Sequence, residues 1–237
     1  MLMLLGVALP AAADLHVNAT RVLHQEGSGP ARVRIRNTGE AASLIQSWLD
    51  LGDASVAPEH LKAPLITTPP LFRLDGGKRR DIHVRAADIA SLPTDRETLL
   101  WLNILEVPAR KPGKGKSLFE HAVQWRLKVF HRPAGLPGKP EAAATAVQWS
   151  FAEEDDGSLV LHARNASAYY VSLRELKLAG QVLPLVVRKA QIPPYGNWTQ
   201  RVPGQADASN GSLPLQVEWL DDQGFVHALS ASARLAK

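Results

Sequence analysis

Arg32-Val33-Arg34-Ile35-Arg36 decides the structural class of this chain. Basic and apolar side chains alternate with a strict period of two. Only a β-strand sends successive side chains to opposite faces. The segment therefore predicts a half-buried strand, with Val33 and Ile35 toward a core and three arginines toward water. Working outward, strand-like segments recur at Leu15–Leu23, Arg32–Asn37, Ser43–Leu51, Arg79–Ala86, Thr98–Glu106 and Leu118–His131. Between them stand turn signals: Gly27-Ser28-Gly29-Pro30, Thr68-Pro69-Pro70, Asp75-Gly76-Gly77 and Pro112-Gly113-Lys114-Gly115. No window carries an apolar stripe of helical period over three turns. About seven short strands in roughly 120 residues predict an immunoglobulin-like β-sandwich.

The run Arg132-Pro133-Ala134-Gly135-Leu136-Pro137-Gly138-Lys139-Pro140 cannot continue a central strand, because each proline removes a ladder donor. A domain boundary is expected there: a first domain over 14–134, a linker over 135–144 and a second domain over 145–237. The second half repeats the strand pattern at Ala146–Ala152, Ser158–Arg164, Tyr169–Leu178, Gln181–Leu185, Trp198–Val202, Leu215–Leu220 and Val226–Ala233. Asp155-Asp156-Gly157 and Asp221-Asp222-Gln223-Gly224 read as hairpin turns. The fold class expected is all-β, with two sandwiches.

Composition narrows the function classes. The 237 residues are 45% hydrophobic, enough to fill real cores, and contain no cysteine. Disulfides, thiolate catalysis and zinc–thiolate sites are thereby excluded. Residues 1–13 carry no charge and end in Ala11-Ala12-Ala13, which reads as a secretory signal cleaved before Asp14. Charge is uneven: residues 14–134 hold 18 basic against 13 acidic side chains, and residues 135–237 hold 9 against 10. The basic half favours an acidic partner or a carboxylate. Without a helical basic stripe or an aromatic stacking platform, nucleic acid is not the expected partner.

Candidate chemistry is sparse. The eight histidines, at 16, 24, 60, 83, 121, 131, 162 and 227, show no helical metal spacing, so no metal is expected. Serine-nucleophile signatures are missing. Gly113-Lys114-Gly115-Lys116 lacks phosphate-loop spacing and reads as a solvated hairpin loop. Asp95 and Glu97 are close carboxylates, but Arg96 between them makes surface charge the default reading. No enzyme, cofactor or small-molecule substrate is expected.

Several segments in succession resemble the periplasmic pilus-assembly chaperones of the chaperone–usher pathway. They are Thr20-Arg21-Val22-Leu23, Gln46-Ser47-Trp48-Leu49-Asp50, Thr67-Thr68-Pro69-Pro70-Leu71-Phe72-Arg73-Leu74 and Leu92-Pro93-Thr94-Asp95-Arg96-Glu97-Thr98-Leu99. Further along come Trp101-Leu102-Asn103-Ile104-Leu105-Glu106-Val107-Pro108, Leu127-Lys128-Val129-Phe130-His131-Arg132-Pro133 and Asn165-Ala166-Ser167-Ala168-Tyr169-Tyr170-Val171. The match runs through the mature chain and is most specific from Thr67 to Pro133.

The resemblance implies two immunoglobulin-like domains in an L or boomerang arrangement, a periplasmic location, and pilus subunits and an outer-membrane usher as partners. It implies a cationic pair, Arg21 and Lys128, that anchors the subunit's terminal carboxylate. It implies a donor strand whose Phe119, His121 and Val123 enter the subunit's groove while Leu127 and Val129 stay in the core. It also implies an interdomain charge network of Glu97, Arg132 and Asp222. His131 departs from the family's usual tyrosine, and His121 stands in a row that is normally apolar. The short basic loop Pro108–Ser117 resembles the subfamily that serves rod-like pili. A secreted all-β pilus subunit or adhesin is the alternative this sequence leaves open.

Overall fold

The computed structural model describes residues 14–108, 122–203 and 211–236. The chain forms β1 (Leu15–Val17), β2 (Arg21–Gln25), β3 (Ala31–Asn37), β4 (Ser43–Asp50), β5 (Leu65–Thr68), β6 (Leu71–Leu74), β7 (Arg79–Ala86), β8 (Thr98–Pro108) and β9 (Val123–Arg132). A short helix α1 (Pro140–Thr145) follows. The strands then resume with β10 (Gln148–Glu153), β11 (Leu159–Arg164), β12 (Val171–Leu178), β13 (Gln181–Val182), β14 (Gln191–Ile192), β15 (Asn197–Val202), β16 (Ser212–Leu220) and β17 (Val226–Leu235). Two compact units result. One comprises the described residues before Arg21 with Pro30–Asp88 and those from Trp101 to Lys128; the other comprises Arg21–Gly29, Ile89–Leu100 and the described residues from Val129 onward.

The first unit is a β-sandwich. One sheet has the order β1-β3-β7-β5, and the other stacks β6, β4, β8 and β9. Alternation along each strand supplies the filling. Val33 and Ile35 on β3, Ile82 and Val84 on β7 and Leu65 on β5 are wholly buried; so are Ile45 on β4 and Leu102 and Ile104 on β8. Buried polar groups in this core are satisfied. Glu106 accepts from Ser43 Oγ at 2.9 Å. Asn37 Nδ2 donates to the carbonyls of Ala41 and Leu74. The arginines of β3 take the outer face, as the alternation predicts.

In the second unit one continuous hydrogen-bonded path, β13-β12-β16-β17-β10-β11-β15, folds into two layers, with β14 added beside β12. The fold-over point is the short parallel contact of Arg234 and Leu235 with Ser150 and Phe151. Between the layers lies a core built on Phe151, Leu161, Leu176, Leu178, Ile192 and Val217. Asn165 organises the segment before β12. Its Nδ2 donates to the carbonyls of Tyr169 and Pro193, and its Oδ1 accepts from the Ser167 backbone.

Four sequence expectations change in detail. Leu15–Leu23 is not one strand: β1 and β2 belong to different sheets, and the chain switches between them over residues 18–20. Asn18 makes the switch, because its backbone N–H and its Oδ1 each bond Arg34. Two strands around Pro69-Pro70 were not expected; each spans four residues, and they lie in opposite sheets, so neither shows a long alternation. The long strand over Leu118–His131 is β9 from Val123 among the described residues, and it runs on to Arg132. Finally, α1 occupies part of the expected linker; Pro140 stands at its first turn, where its missing N–H costs nothing.

Candidate functional site

Arg21 opens β2 and points into a pocket of the second unit. Arg21, Phe130, Tyr170, Ser172, Trp219 and Asp222 are among its lining residues. One guanidinium nitrogen donates to the Leu220 carbonyl at 3.1 Å. The guanidinium carbon lies 5.9 Å from the centre of the Phe130 ring, within reach of a cation–π attraction. The Phe130 ring in turn leans on Tyr170, with centroids 5.6 Å apart. The Arg21 Nε is buried and has no hydrogen-bond partner among the described residues. Burial lowers the Arg21 pKa from its ordinary value, and the charges of Asp222 and Asp221 act against that shift. A half-buried cation with an orphan donor beside an open pocket is chemically suited to an anionic oxygen, and a carboxylate matches its planar donor edge.

Arg132, at the end of β9, is in the opposite condition. Its Nε donates to Glu97 Oε1 at 2.7 Å, and its two terminal nitrogens donate to the two Asp222 oxygens at 2.8 Å each. Glu97 is buried and also accepts from the Tyr170 backbone N–H at 2.7 Å. The guanidinium carbon lies 5.1 Å from the Tyr169 ring centre. Burial pushes the Glu97 carboxyl up and would push Arg132 down. The Asp222 hydrogen bonds and the Glu97 charge outweigh that cost and hold Arg132 above its ordinary value. The three residues singled out by the resemblance thus meet, and all three belong to the second unit. Neighbouring Asp221 has a different task. It accepts from the Gln223 and Phe225 backbone N–H groups and lies 2.8 Å from His227 Nε2, which fixes the β16–β17 hairpin that presents Asp222.

Lys128 belongs to the first unit, where its Nζ lies 5.8 Å from the centre of the Trp101 ring. Arg126 covers the same ring at 4.6 Å. Val123 begins β9 and is half-buried. Phe119 and His121 lie outside the described residues.

Two clusters were not singled out by sequence reasoning. On the second sheet of the first unit, Asp50 accepts from Asn103 and Arg126 at 2.6 Å each, and Asn103 accepts from Gln124 at 2.8 Å. Asp50 and Asn103 are both almost fully buried, so this chain of bonds fixes the strand face that carries Arg126 beside Trp101. In the second unit the buried rings of His24 and His131 approach to 3.0 Å between Nδ1 atoms. Burial lowers both pKa values, and for His131 the His24 charge adds to the effect. The only sequence signal for this pair was the departure at His131. Among the described residues no group of three or more histidines and carboxylates is placed to hold a metal ion.

Comparison with known proteins places this geometry. Residues 14–137 match the family model of the pili and flagellar-assembly chaperone, PapD N-terminal domain, and residues 142–231 match that of the pili assembly chaperone PapD, C-terminal domain. The probable fimbrial chaperone YadV of Escherichia coli is 33% identical over 228 residues, covering 94% of this chain and 90% of the relative. Chaperone protein FimB/FhaD of Bordetella pertussis is 38% identical over 180 residues, covering 74% and 72%. Among solved structures, the Salmonella enterica SafA pilin in complex with the SafB chaperone matches with a TM-score of 0.77 at 26% identity, covering 94% of this chain and 98% of that one. Chaperone models that match both halves disfavour the alternative of a pilus subunit or adhesin. The chain belongs to the PapD family of pilus-assembly chaperones of the chaperone–usher pathway.

Proposed function

We propose that this chaperone works in the periplasm, where it binds pilus subunits without catalysing a reaction and passes them to an outer-membrane usher. Arg21 and Lys128 anchor the subunit's terminal carboxylate, and the stretch from Phe119 through His121 to Val123 supplies the strand the subunit lacks. Chaperone–pilin donor-strand complementation is itself an established instance of strand addition to a sheet edge. An incomplete sandwich exposes an apolar groove and an unpaired edge, both of which invite aggregation until covered.

The observation that carries this reading is the buried, unpartnered Nε of Arg21 beside an open pocket. An orphaned cationic donor costs free energy in the unbound chain, and a carboxylate removes that cost on binding. The Glu97–Arg132–Asp222 network is a structural clamp in this reading, since its groups are already paired. The SafB match supports the partner class, because that protein's structure holds a pilin.

Co-expression with a subunit tests the assignment. Arg21→Ala and Lys128→Ala should each abolish accumulation of protease-resistant subunit while the chaperone stays folded. If both variants still protect subunits, the anchor is misassigned. Sequencing the amino terminus of exported protein tests the location, with Asp14 expected first.

A further inference from the structure

The β1-β3-β7-β5 sheet buries Leu15, Val33, Ile35, Leu65, Ile82 and Val84 on its inner face. Its outer face is cationic across all four strands. Register sets His16, Arg36 and Arg79 side by side on β1, β3 and β7. One step along, Arg34 stands beside Asp81; the next step brings Arg32 beside His83 and Thr68, and the last brings Arg85 beside Ile66. Five arginines and two histidines therefore share this face with a single acid among its described residues.

That acid is already shared. Asp81 lies 2.8 Å from Arg34 Nε and 3.6 Å from Arg32. Arg36 and Arg79 oppose each other directly, and both are exposed. Like charges directly across a strand pair destabilise a sheet, so the face carries a repulsion that an anionic surface would relieve. Steps of two residues are about 6.8 Å and strands lie about 4.8 Å apart, so the charges cover roughly 20 Å by 14 Å. This is a flat array of guanidinium forks and no pocket. It suits a planar lattice of phosphate oxygens better than a single small anion. With no aromatic side chain among the described outward positions, it offers no stacking platform for bases.

We propose that this face docks the chaperone on an anionic lipid surface. The inference rests on the proposed function only for the location that supplies such a surface. Arginines near a charged bilayer contribute about fivefold each in affinity, and salt screens that attraction.

The test uses the mature full chain and vesicles of phosphatidylglycerol mixed with phosphatidylethanolamine, beside vesicles of phosphatidylcholine alone. Flotation should show binding to the anionic vesicles only, weakening as salt rises. The combined variant Arg32→Gln, Arg36→Gln and Arg79→Gln should bind about a hundredfold more weakly, with a melting temperature unchanged or raised. A control that removes equal charge from exposed positions of the second unit, Arg164→Gln, Arg188→Gln and Lys189→Gln, should keep its binding. Three results would overturn the proposal: no flotation at low salt, an equal loss in the control, or binding to heparin without binding to vesicles. Subunit protection is measured on the same proteins. A chain that protects subunits but ignores vesicles sinks this inference alone, and one that floats but fails to protect sinks the proposed function alone.

Discussion

Arg21 and Arg132 belong to the same compact unit, both carry buried guanidinium atoms, and both lie near an aromatic ring. Their surroundings differ in one respect. Arg132 spends its donors on Glu97 and Asp222, whereas Arg21 makes one bond to a carbonyl and keeps a buried Nε without a partner among the described residues. A saturated cation is structural, because removing it strands buried acids. An unsaturated cation beside a pocket is a receptor, because its best partner has yet to arrive. The contrast separates two roles that residue type alone leaves identical.

The largest expected effect tests the saturated member. Arg132→Ala leaves Glu97 buried without its counter-ion and should cost about 3–5 kcal/mol of stability. Urea unfolding of the isolated chain measures this, and a loss under 1 kcal/mol would erase the distinction drawn between the two arginines. Arg21→Ala should behave in the reverse way. Subunit affinity should fall by about 2–5 kcal/mol, while the melt of the free chain changes little because only one carbonyl bond is lost.

Val123→Glu sharpens the comparison on the apolar side of the same binding event. A carboxylate set into an apolar groove without a partner should weaken subunit capture by about 1–3 kcal/mol. Val123 is half-buried at the start of β9, so the free chain should tolerate the change. A collapsed melt with no separate binding defect would place Val123 in the chaperone's own core and overturn the strand register.

The smallest effect concerns His24 and His131. Burial holds both below their ordinary pKa, while the Glu26 charge pulls the other way. Below an unfolded-state value near 6.5 the unfolded chain takes up protons that the folded pair resists, so stability is full above that pH and falls as the solution becomes more acid. The decline should not exceed about 1.4 kcal/mol per pH unit for each proton. Denaturant melts at pH 7.5 and 5.5 measure it, and His131→Phe should remove most of the difference. An equal acid loss in that variant would assign the effect to other groups.

Legibility in the sequence followed interaction range. Arg32–Arg36 announced a strand and its exposed face through neighbours two positions apart, and β3 has that burial pattern. The proline-rich run after Arg132 announced the end of β9 for a reason equally local, the loss of ladder donors. The break at Asn18 escaped because its cause is a pair of bonds to Arg34, sixteen residues away. Within the site, a resemblance was needed to single out Arg21, Glu97, Lys128, Arg132 and Asp222, since each alone reads as a strand or turn charge.

By itself, then, the sequence determined that the chain is β throughout, which face of each regular strand is buried, and where charge accumulates. These follow from period-two alternation and from the backbone limits of proline and glycine. The tertiary structure alone decided which charges are spent and which stay available. Glu97 reads as a surface acid beside Arg96 until Arg132, thirty-five positions on, reaches it in a buried setting. Asp221 and Asp222 are the same residue type in adjacent positions, yet one closes its own turn and the other takes both terminal nitrogens of Arg132. His24 and His131 become a pair across 107 positions. The energy of a charge depends on what water it loses and which partner replaces that water, and only the folded chain sets both.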